Sequence, residues 1–295
     1  MPRVSPLIAV DWGTTNRRAY AIASDGKVTD RLTDDCGVLA MAPGSFEAAI
    51  AEIRERLGKL PMLMAGMIGS NRGWVDVPYV GCPADIASLA RGMVRAPGNN
   101  AAIVPGLSRA TAERADVMRG EEVQLLGAVH AGLVPRDTLA CHPGTHAKWA
   151  KLEGGAVRDF RTVMTGELFA LLKKHSILAA QLHADVAPSR SFKAGVRRSL
   201  DCPQLTADLF TVRARGLLGQ LPDDDAASYV SGLLIGADIA SGLAFAGPAD
   251  TLPLIGEPRL TGLYAAGLAE AGRASIEIDG EIAFLSGAKA LAEFL

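Results

Sequence analysis

The stretch LIAVDWGTTNRRAYAI, residues 7–22, decides the fold of this chain. It predicts an apolar strand that ends near Asp11, then a polar turn, then a second strand. The turn consists of Gly13, Thr14, Thr15 and Asn16. Its backbone N–H and hydroxyl groups can face phosphate oxygens, and the carboxylate can hold a hydrated Mg²⁺. An ordinary hairpin remains the alternative reading, because turns favour the same residues.

The composition indicates a globular protein of one or two domains. The chain has 295 residues, of which 49% are hydrophobic and 21% charged. A formal net charge of −2 argues against a nucleic-acid partner. The four cysteines are widely spaced and favour reduced thiols in a cytoplasmic protein. The N-terminus lacks the apolar run of a signal peptide, and no long uncharged stretch predicts a membrane span.

The opening pattern returns near residue 140, which suggests an internal repeat. Gly144-Thr145-His146 follows an apolar run as Gly13-Thr14-Thr15 does, and a further strand follows in both places. One strand–turn–strand unit therefore occurs once in each half of the chain. The segment Val134-Pro135-Arg136-Asp137 is the best boundary, which gives predicted domains at 1–134 and 135–295.

Strands alternate with helical patterns through both halves, which favours an α/β fold. Helical spacing is predicted after Ser45, at the glutamates that follow Gly120, and in a long helix rich in small residues. These segments are Phe46 to Leu57, Glu121 to Ala131 and Tyr229 to Phe245. Buried strands are predicted at 61–67, 101–104 and 251–255.

Six blocks of sequence together resemble one family. They lie at residues 8–16, 64–74, 117–122, 143–149, 159–168 and 231–237. The two Gly-Thr hairpins resemble the superfamily of sugar kinases, heat-shock ATPases and actin. The six blocks in this order are similar to the 2-dehydro-3-deoxygalactonokinases within it, over nearly the whole chain.

The resemblance implies an α/β fold of two ribonuclease-H-like domains with a nucleotide cleft between them. The first would carry a phosphate hairpin and the sugar-acid site, and the second the other hairpin and the nucleotide site. It implies ATP-dependent phosphorylation of 2-dehydro-3-deoxy-D-galactonate at its terminal (6-) hydroxyl, in galactonate catabolism. ATP and Mg²⁺ are the implied cofactors and a small sugar acid the implied partner. A homodimer is left open, and the sequence does not separate galacto- from gluco-configured substrates or name the preferred phosphate donor.

Residues that contact the nucleotide are predicted by matching the two hairpins. Asp11 is the predicted Mg²⁺ partner, through water. Phosphate contacts are predicted for Gly13, Thr14, Thr15, Asn16, Gly144, Thr145 and His146. Lys148 either adds a cation or is a solvated surface charge. Gly256 ends a late strand and can offer backbone contacts to the nucleotide, whereas Glu257 departs from the superfamily pattern.

The general base is predicted at the start of the helix that follows Gly120. Paired carboxylates there suit the helix dipole, so plain helix-start chemistry is one reading. The other is a base that accepts the proton of the sugar hydroxyl, as the similar Gly-x-Glu-Glu segment of exopolyphosphatases implies. Glu121 is favoured, because the helix puts Glu122 on the face of Leu126. Glu122 and Asp238 remain alternatives; Asp238 is read either as a helix-surface residue or as a second metal-linked acid.

Substrate contacts are predicted in three places. Ser70 and Asn71 could hold sugar hydroxyls with Trp74 as a wall, or the segment could be a turn with a core tryptophan. Arg119 suits a substrate carboxylate. Arg161 binds phosphate or the acid, or forms a structural ion pair.

Three functions compete at this stage. The first is the sugar-acid kinase. The second is a phosphatase or polyphosphate hydrolase of the same superfamily, which would activate water near Glu121. The third is a non-catalytic ATP-binding regulator. ADP release that depends on a sugar acid supports the first and contradicts the other two.

Overall fold

The computed structural model describes residues 5–96, 100–202, 204–246 and 251–295. Residues 1–4, which belong to the segment examined for a signal peptide, lie outside these ranges. Contacts divide the chain into two compact units. Unit 1 comprises residues 1–137, 152–160 and 280–295, and unit 2 comprises residues 138–151 and 161–279. The first unit thus includes the C-terminal helix as well as the predicted domain 1–134.

Unit 1 is built on a six-stranded sheet of order β3-β2-β1-β4-β7-β6. Strand β1 pairs antiparallel with β2 and parallel with β4. A smaller sheet has the order β5-β8-β9. The strands are β1 Leu7–Trp12, β2 Arg17–Ile22, β3 Val28–Asp34, β4 Met62–Gly66, β5 Val80–Gly81, β6 Val94–Arg95, β7 Ala101–Ile103, β8 Leu107–Ala110 and β9 Ala115–Met118.

The remaining strands form a second sheet with the order β12-β11-β10-β13-β14. This order repeats β3-β2-β1-β4-β7, so the repeat seen in the sequence extends to the topology of the sheets. The strands are β10 Thr138–His142, β11 Ala147–Glu153, β12 Ala156–Val163, β13 Thr251–Gly256 and β14 Ala274–Asp279. As predicted, the fold is α/β.

Helices cover these sheets. In unit 1 they are α1 Phe46–Leu57, α2 Ile86–Gly92, α3 Glu121–His130 and α9 Gly280–Ala292. In unit 2 they are α4 Thr165–His175, α5 Arg190–Asp201, α6 Leu205–Leu217, α7 Asp223–Ala246 and α8 Pro258–Glu270. Ser45 precedes α1 as predicted, but its hydroxyl donates to the Ala42 carbonyl and makes no capping bond.

Each unit has its own apolar core. In unit 1, Trp12 and Ile53 are fully buried, and the Trp12 ring lies edge-on to Phe46 at 5.8 Å between centroids. In unit 2, Trp149 and Ile239 are fully buried. Removal of such apolar surface from water is the main stabilising contribution to each unit.

Helix α7 has the length and composition of a membrane span. Within the described residues, Asp223–Phe245 alone passes that test, and 67% of its apolar window is buried inside the protein. Gly232 explains the burial: a Cβ there would lie 2.1 Å from the Phe192 carbonyl oxygen of α5. Helix α7 therefore packs in backbone contact with α5, as a core helix does.

Candidate active site

The turn between β1 and β2 is held from one side by a loop. Its carbonyls at Gly13, Thr14 and Thr15 accept backbone hydrogen bonds from Val38, Leu39 and Gly37 at 3.0–3.1 Å. Only glycine fits at residue 37, because a Cβ would lie 2.3 Å from the Thr15 backbone. The side chains of residues 14–16 are exposed. The loop 37–39 therefore fixes the turn while its hydroxyl and amide groups stay open to a ligand.

Asp11 lies at the end of β1, opposite Arg18 in the hairpin register. The Asp11 carboxylate and the Arg18 guanidinium are 3.5 Å apart, and the Asp11 side chain is 20% exposed. Burial raises the pKa of Asp11 to about 6; Arg18 opposes that rise and the charge of Glu121 adds to it. Glu121, the predicted base, therefore lies within electrostatic range of Asp11, the predicted metal partner.

Glycines make this approach of α3 to β1 possible. Gly120, immediately before α3, has φ +112°, and a Cβ there would lie 3.3 Å from Gly66 Cα. Gly66, at the end of β4, has φ +95°, and its Cβ would lie 2.7 Å from the Trp12 carbonyl oxygen. Both backbones require glycine, for conformation and for space. The start of α3 therefore packs directly on the end of β4, which in turn packs on the end of β1.

The two adjacent glutamates differ in their surroundings. Glu122 is fully buried with Leu126, as the helical spacing predicted, and its carboxylate accepts the Gly120 N–H at 2.7 Å. Burial, followed by the charge of Glu121, raises the pKa of Glu122 to about 8. Glu121 is half-buried, and its carboxylate accepts the Arg119 N–H at 3.1 Å. Near neutral pH Glu122 is mostly protonated and less suited to act as a base.

The predicted substrate residues near β4 separate into two groups. Ser70 is buried, and its hydroxyl donates to the Met67 carbonyl at 2.7 Å, so it shapes its own loop. Asn71 is exposed, and Trp74 packs on the core of unit 1; both line a cavity. Arg119 donates to the Val77 carbonyl at 2.7 Å and lies 4.2 Å from the centre of the Tyr79 ring.

In unit 2 the second hairpin turn contacts the start of α4. The Glu167 N–H donates to the Thr145 carbonyl at 3.0 Å, and the Glu167 carboxylate lies 2.5 Å from His146 Nε2. Lys148 is buried, so the surface-charge reading is wrong; its ammonium donates to the His146 carbonyl at 3.1 Å. Residues 147–150 of β11 are all buried, so both faces of the strand are covered at this point.

A cavity of about 370 Å³ opens beside this hairpin within unit 2. Gly144 and Thr145 line one part of it, and Glu257 another. Glu257 caps α8 by accepting N–H bonds from Arg259 and Leu260. Gly256 lies beside the hairpin: a Cβ on it would be 3.6 Å from the Pro143 carbonyl oxygen. The volume and the adjacent hairpin suit a nucleotide.

Asp238 and Arg161, two further residues of the sequence analysis, both contact side chains within unit 2. Asp238 is fully buried and accepts hydrogen bonds from Trp149 Nε1 at 2.7 Å, from Thr165 Oγ1 at 2.5 Å and from the Tyr264 hydroxyl. The prediction that Asp238 lies on a helix surface is therefore wrong, because α7 is a core helix. Burial raises the pKa of Asp238, and its three donors oppose the rise. The Arg161 guanidinium lies 5.1 Å from the centre of the Phe245 ring.

The donor set around Asp11 fits magnesium. Within the described ranges, no group of three or more His, Cys, Asp or Glu side chains could hold a metal ion. Mg²⁺ does not need such a group, because it commonly binds through one or two carboxylates, retained waters and substrate phosphates. Asp11 beside the open turn offers that arrangement.

Two supporting residues were missed from the sequence. Arg18 was detectable, because a four-residue turn after Trp12 pairs Asp11 with it, and paired side chains share a face of the sheet. Glu167 belonged to a recognised block but received no role, since its contact with His146 depends on how α4 packs against the hairpin.

The whole chain matches known proteins. The family model for 2-keto-3-deoxy-galactonokinase matches residues 11–291. The chain is 38% identical to the 2-dehydro-3-deoxygalactonokinase of Escherichia coli, over 97% of each chain. It is 36% identical to a probable 2-dehydro-3-deoxygalactonokinase of Rhizobium meliloti, over 96% of this chain and 95% of the relative.

Solved structures agree with these sequence matches. A crystal structure from Sinorhizobium meliloti, whose assigned function is 2-dehydro-3-deoxygalactonokinase, has a TM-score of 0.89 at 35% identity, over 97% of this chain and 98% of that one. Component A of (R)-2-hydroxyglutaryl-CoA dehydratase from Acidaminococcus fermentans has a TM-score of 0.54 at 12% identity, over 98% and 96% of the two chains, and shows the fold alone. The chain belongs to the 2-keto-3-deoxy-galactonokinase family.

Proposed function

We propose that the chain transfers the γ-phosphoryl group of ATP to the terminal (6-) hydroxyl of 2-dehydro-3-deoxy-D-galactonate, in galactonate catabolism. The curated relatives named for this activity match it almost from end to end. The observation that carries the chemistry is the packing of Gly120, immediately before Glu121, on Gly66 at the end of β4, the strand that pairs with β1 beside Asp11 and the open turn of residues 13–16. The alternatives, a phosphatase or a non-catalytic regulator, are not favoured by these matches. We place this metabolic kinase in the cytoplasm, as the sequence predicted.

Each group has a proposed part in the transfer. Glu121 accepts the proton of the 6-hydroxyl as its oxygen attacks the γ-phosphorus, and the bond to the β–γ bridging oxygen breaks to release ADP. Asp11 would hold Mg²⁺, which neutralises phosphate charge when bound. The turn residues Gly13, Thr14, Thr15 and Asn16 would orient the terminal phosphates.

Unit 2 is proposed to bind the rest of the nucleotide. Gly144 and Thr145 line a cavity of about 370 Å³, which accommodates a group of the size of adenosine. His146 and Lys148 add polar groups at the same hairpin. Gly256 contributes backbone close to Pro143.

The proposal is tested by measuring ADP release with a panel of 2-keto-3-deoxy sugar acids, with and without Mg²⁺. The galactonate-derived acid should give the highest kcat/KM, and its C4 epimer a lower one. Phosphate release without any sugar acid would instead indicate a hydrolase. Nucleotide binding without turnover of any acid would indicate a regulator.

A further inference from the structure

A second cavity lies within unit 1, close to the turn of residues 13–16. Its volume is about 490 Å³. One wall consists of residues 41–44 with Phe46 and Glu47, and the other of residues 71–74. Two of the predicted sugar-binding residues, Asn71 and Trp74, are therefore on one wall. Nothing in the proposed mechanism yet uses the charged residue between them.

The cavity is connected to the proposed reaction centre by direct packing. Met41, in one wall, follows closely on the loop 37–39 that holds the turn. The Met41 N–H donates to the Val38 carbonyl at 3.3 Å. The Phe46 ring packs on Trp12, the residue after Asp11. One wall of the cavity therefore continues the loop that holds the turn, and it packs on the strand that carries Asp11.

Arg72 is presented at this cavity by a tightly built loop. Its N–H donates to Ser70 Oγ at 3.2 Å, and the next N–H, of Gly73, donates to the Ser70 carbonyl at 2.8 Å. A Cβ at Gly73 would lie 2.1 Å from the Ile68 carbonyl oxygen, so the loop packs against its own start. The Arg72 side chain is exposed, and among the described residues that line the cavity Arg72 is the one cation.

Arg119, the other candidate for a carboxylate, is covered. Its guanidinium lies against the Tyr79 ring and donates to Val77, while its Nε and one terminal nitrogen are buried. A Cβ at Gly69 would lie 2.9 Å from that terminal nitrogen, which shows how closely the loop covers it. Arg119 is thus half-buried, with two of its guanidinium nitrogens away from solvent, whereas the Arg72 side chain is exposed.

We propose that Arg72 binds the C1 carboxylate of the sugar acid and makes the enzyme specific for acids over neutral analogues; this rests on the proposed function. A guanidinium can donate two parallel hydrogen bonds to a carboxylate. Glu47, on the opposite wall, provides an acceptor for sugar hydroxyls.

The test compares 2-dehydro-3-deoxy-D-galactonate with its neutral C1 amide, in the wild type and in Arg72→Gln. The ratio of kcat/KM for the acid over the amide should fall about 10- to 100-fold in the variant, the size expected for one lost charged hydrogen-bonding partner. Arg72→Lys should recover part of the ratio that Arg72→Gln loses, because lysine keeps the positive charge but lacks the paired N–H donors of a guanidinium. The matched control is Arg56→Gln, which removes an exposed arginine of α1 and should leave the ratio unchanged.

Two readouts separate the possible failures. If the wild type does not phosphorylate the acid, the proposed function itself fails. If it does, and Arg72→Gln lowers kcat/KM equally for acid and amide or changes neither, the role of Arg72 is overturned. A ratio that falls in Arg119→Gln but not in Arg72→Gln would also overturn it. Calorimetric binding of the acid without ATP should weaken in Arg72→Gln, with melting curves confirming that the variants fold.

Discussion

At the scale of single residues, Glu121 and Glu122 offer a matched pair. We expect Glu121→Gln to lower kcat about 10²- to 10⁴-fold, because the amide cannot accept the proton of the hydroxyl. Glu122→Gln should keep most activity, because Glu122 is buried and points back to the Gly120 N–H. Steady-state ADP release measures both. A loss of kcat in Glu122→Gln with full activity in Glu121→Gln would reverse the assignment.

Glu122 also makes the stability of the protein depend on pH. Its pKa is about 8 when folded, above its ordinary value of 4.5. Between these values the folded state binds more protons than the unfolded state, so stability falls as pH rises. The wild type should lose about 4 kcal/mol of unfolding free energy, and roughly 6–12 °C in melting temperature, relative to Glu122→Gln between pH 5 and pH 9. The same difference at both pH values would contradict the prediction.

At the scale of elements, the pairing of α5 and α7 depends on small residues. A Cβ at Gly232 would lie 2.1 Å from the Phe192 carbonyl, so Gly232→Ala must push the helices apart. We expect it to cost about 1–3 kcal/mol of unfolding free energy. Gly262→Ala in α8 is the control, because its nearest atom, of Glu277, is 3.9 Å away. Alanine should be neutral or stabilising there. Denaturant unfolding measures both variants, and equal effects would refute the packing argument.

Helices and strands whose formation depends on a local sequence pattern could be predicted from the sequence. The spacing from Phe46 to Leu57 and the two hairpins depend on local patterns, and the structure has them at those positions. The burial of Lys148 and Asp238 could not be predicted, since it depends on partners such as Trp149 and Tyr264 in other elements. Helix α5 was missed because its apolar positions are few and its charged face dominates the pattern.

The candidate site was predictable to a similar extent. The turn residues Thr14 to Asn16 and the acid Asp11 were visible as a local motif. The supporting loop at Gly37 was not, because it adjoins the turn only after β2 and β3 have formed. The sequence analysis named Arg119 and not Arg72 for the carboxylate, because the covering of Arg119 by Tyr79, Val77 and the loop at Gly69 depends on other segments of the chain.

At the scale of the whole molecule, the C-terminal helix is required by unit 1. A Cβ at Gly287 of α9 would lie 2.2 Å from the Val123 carbonyl oxygen of α3, and one at Gly127 would lie 2.1 Å from the Ala283 carbonyl. A chain that ends at Asp279 leaves that face of α3 exposed to water. We expect it to lose activity and the amide protection of α3, while α7 in unit 2 stays protected. Hydrogen exchange would show this; unchanged protection of α3 would contradict it.

The return of α9 to unit 1 has a consequence for biosynthesis. Helix α3 leaves the ribosome about 150 residues before α9 does, a delay of roughly 8–30 s at ordinary elongation rates. During that time the apolar side of α3 stays uncovered, because α9 has not been translated. Unit 2, by contrast, is complete once Asp279 has emerged. We therefore expect the nascent N-terminal segment to expose apolar surface to chaperones until α9 has been translated, although this segment is made first.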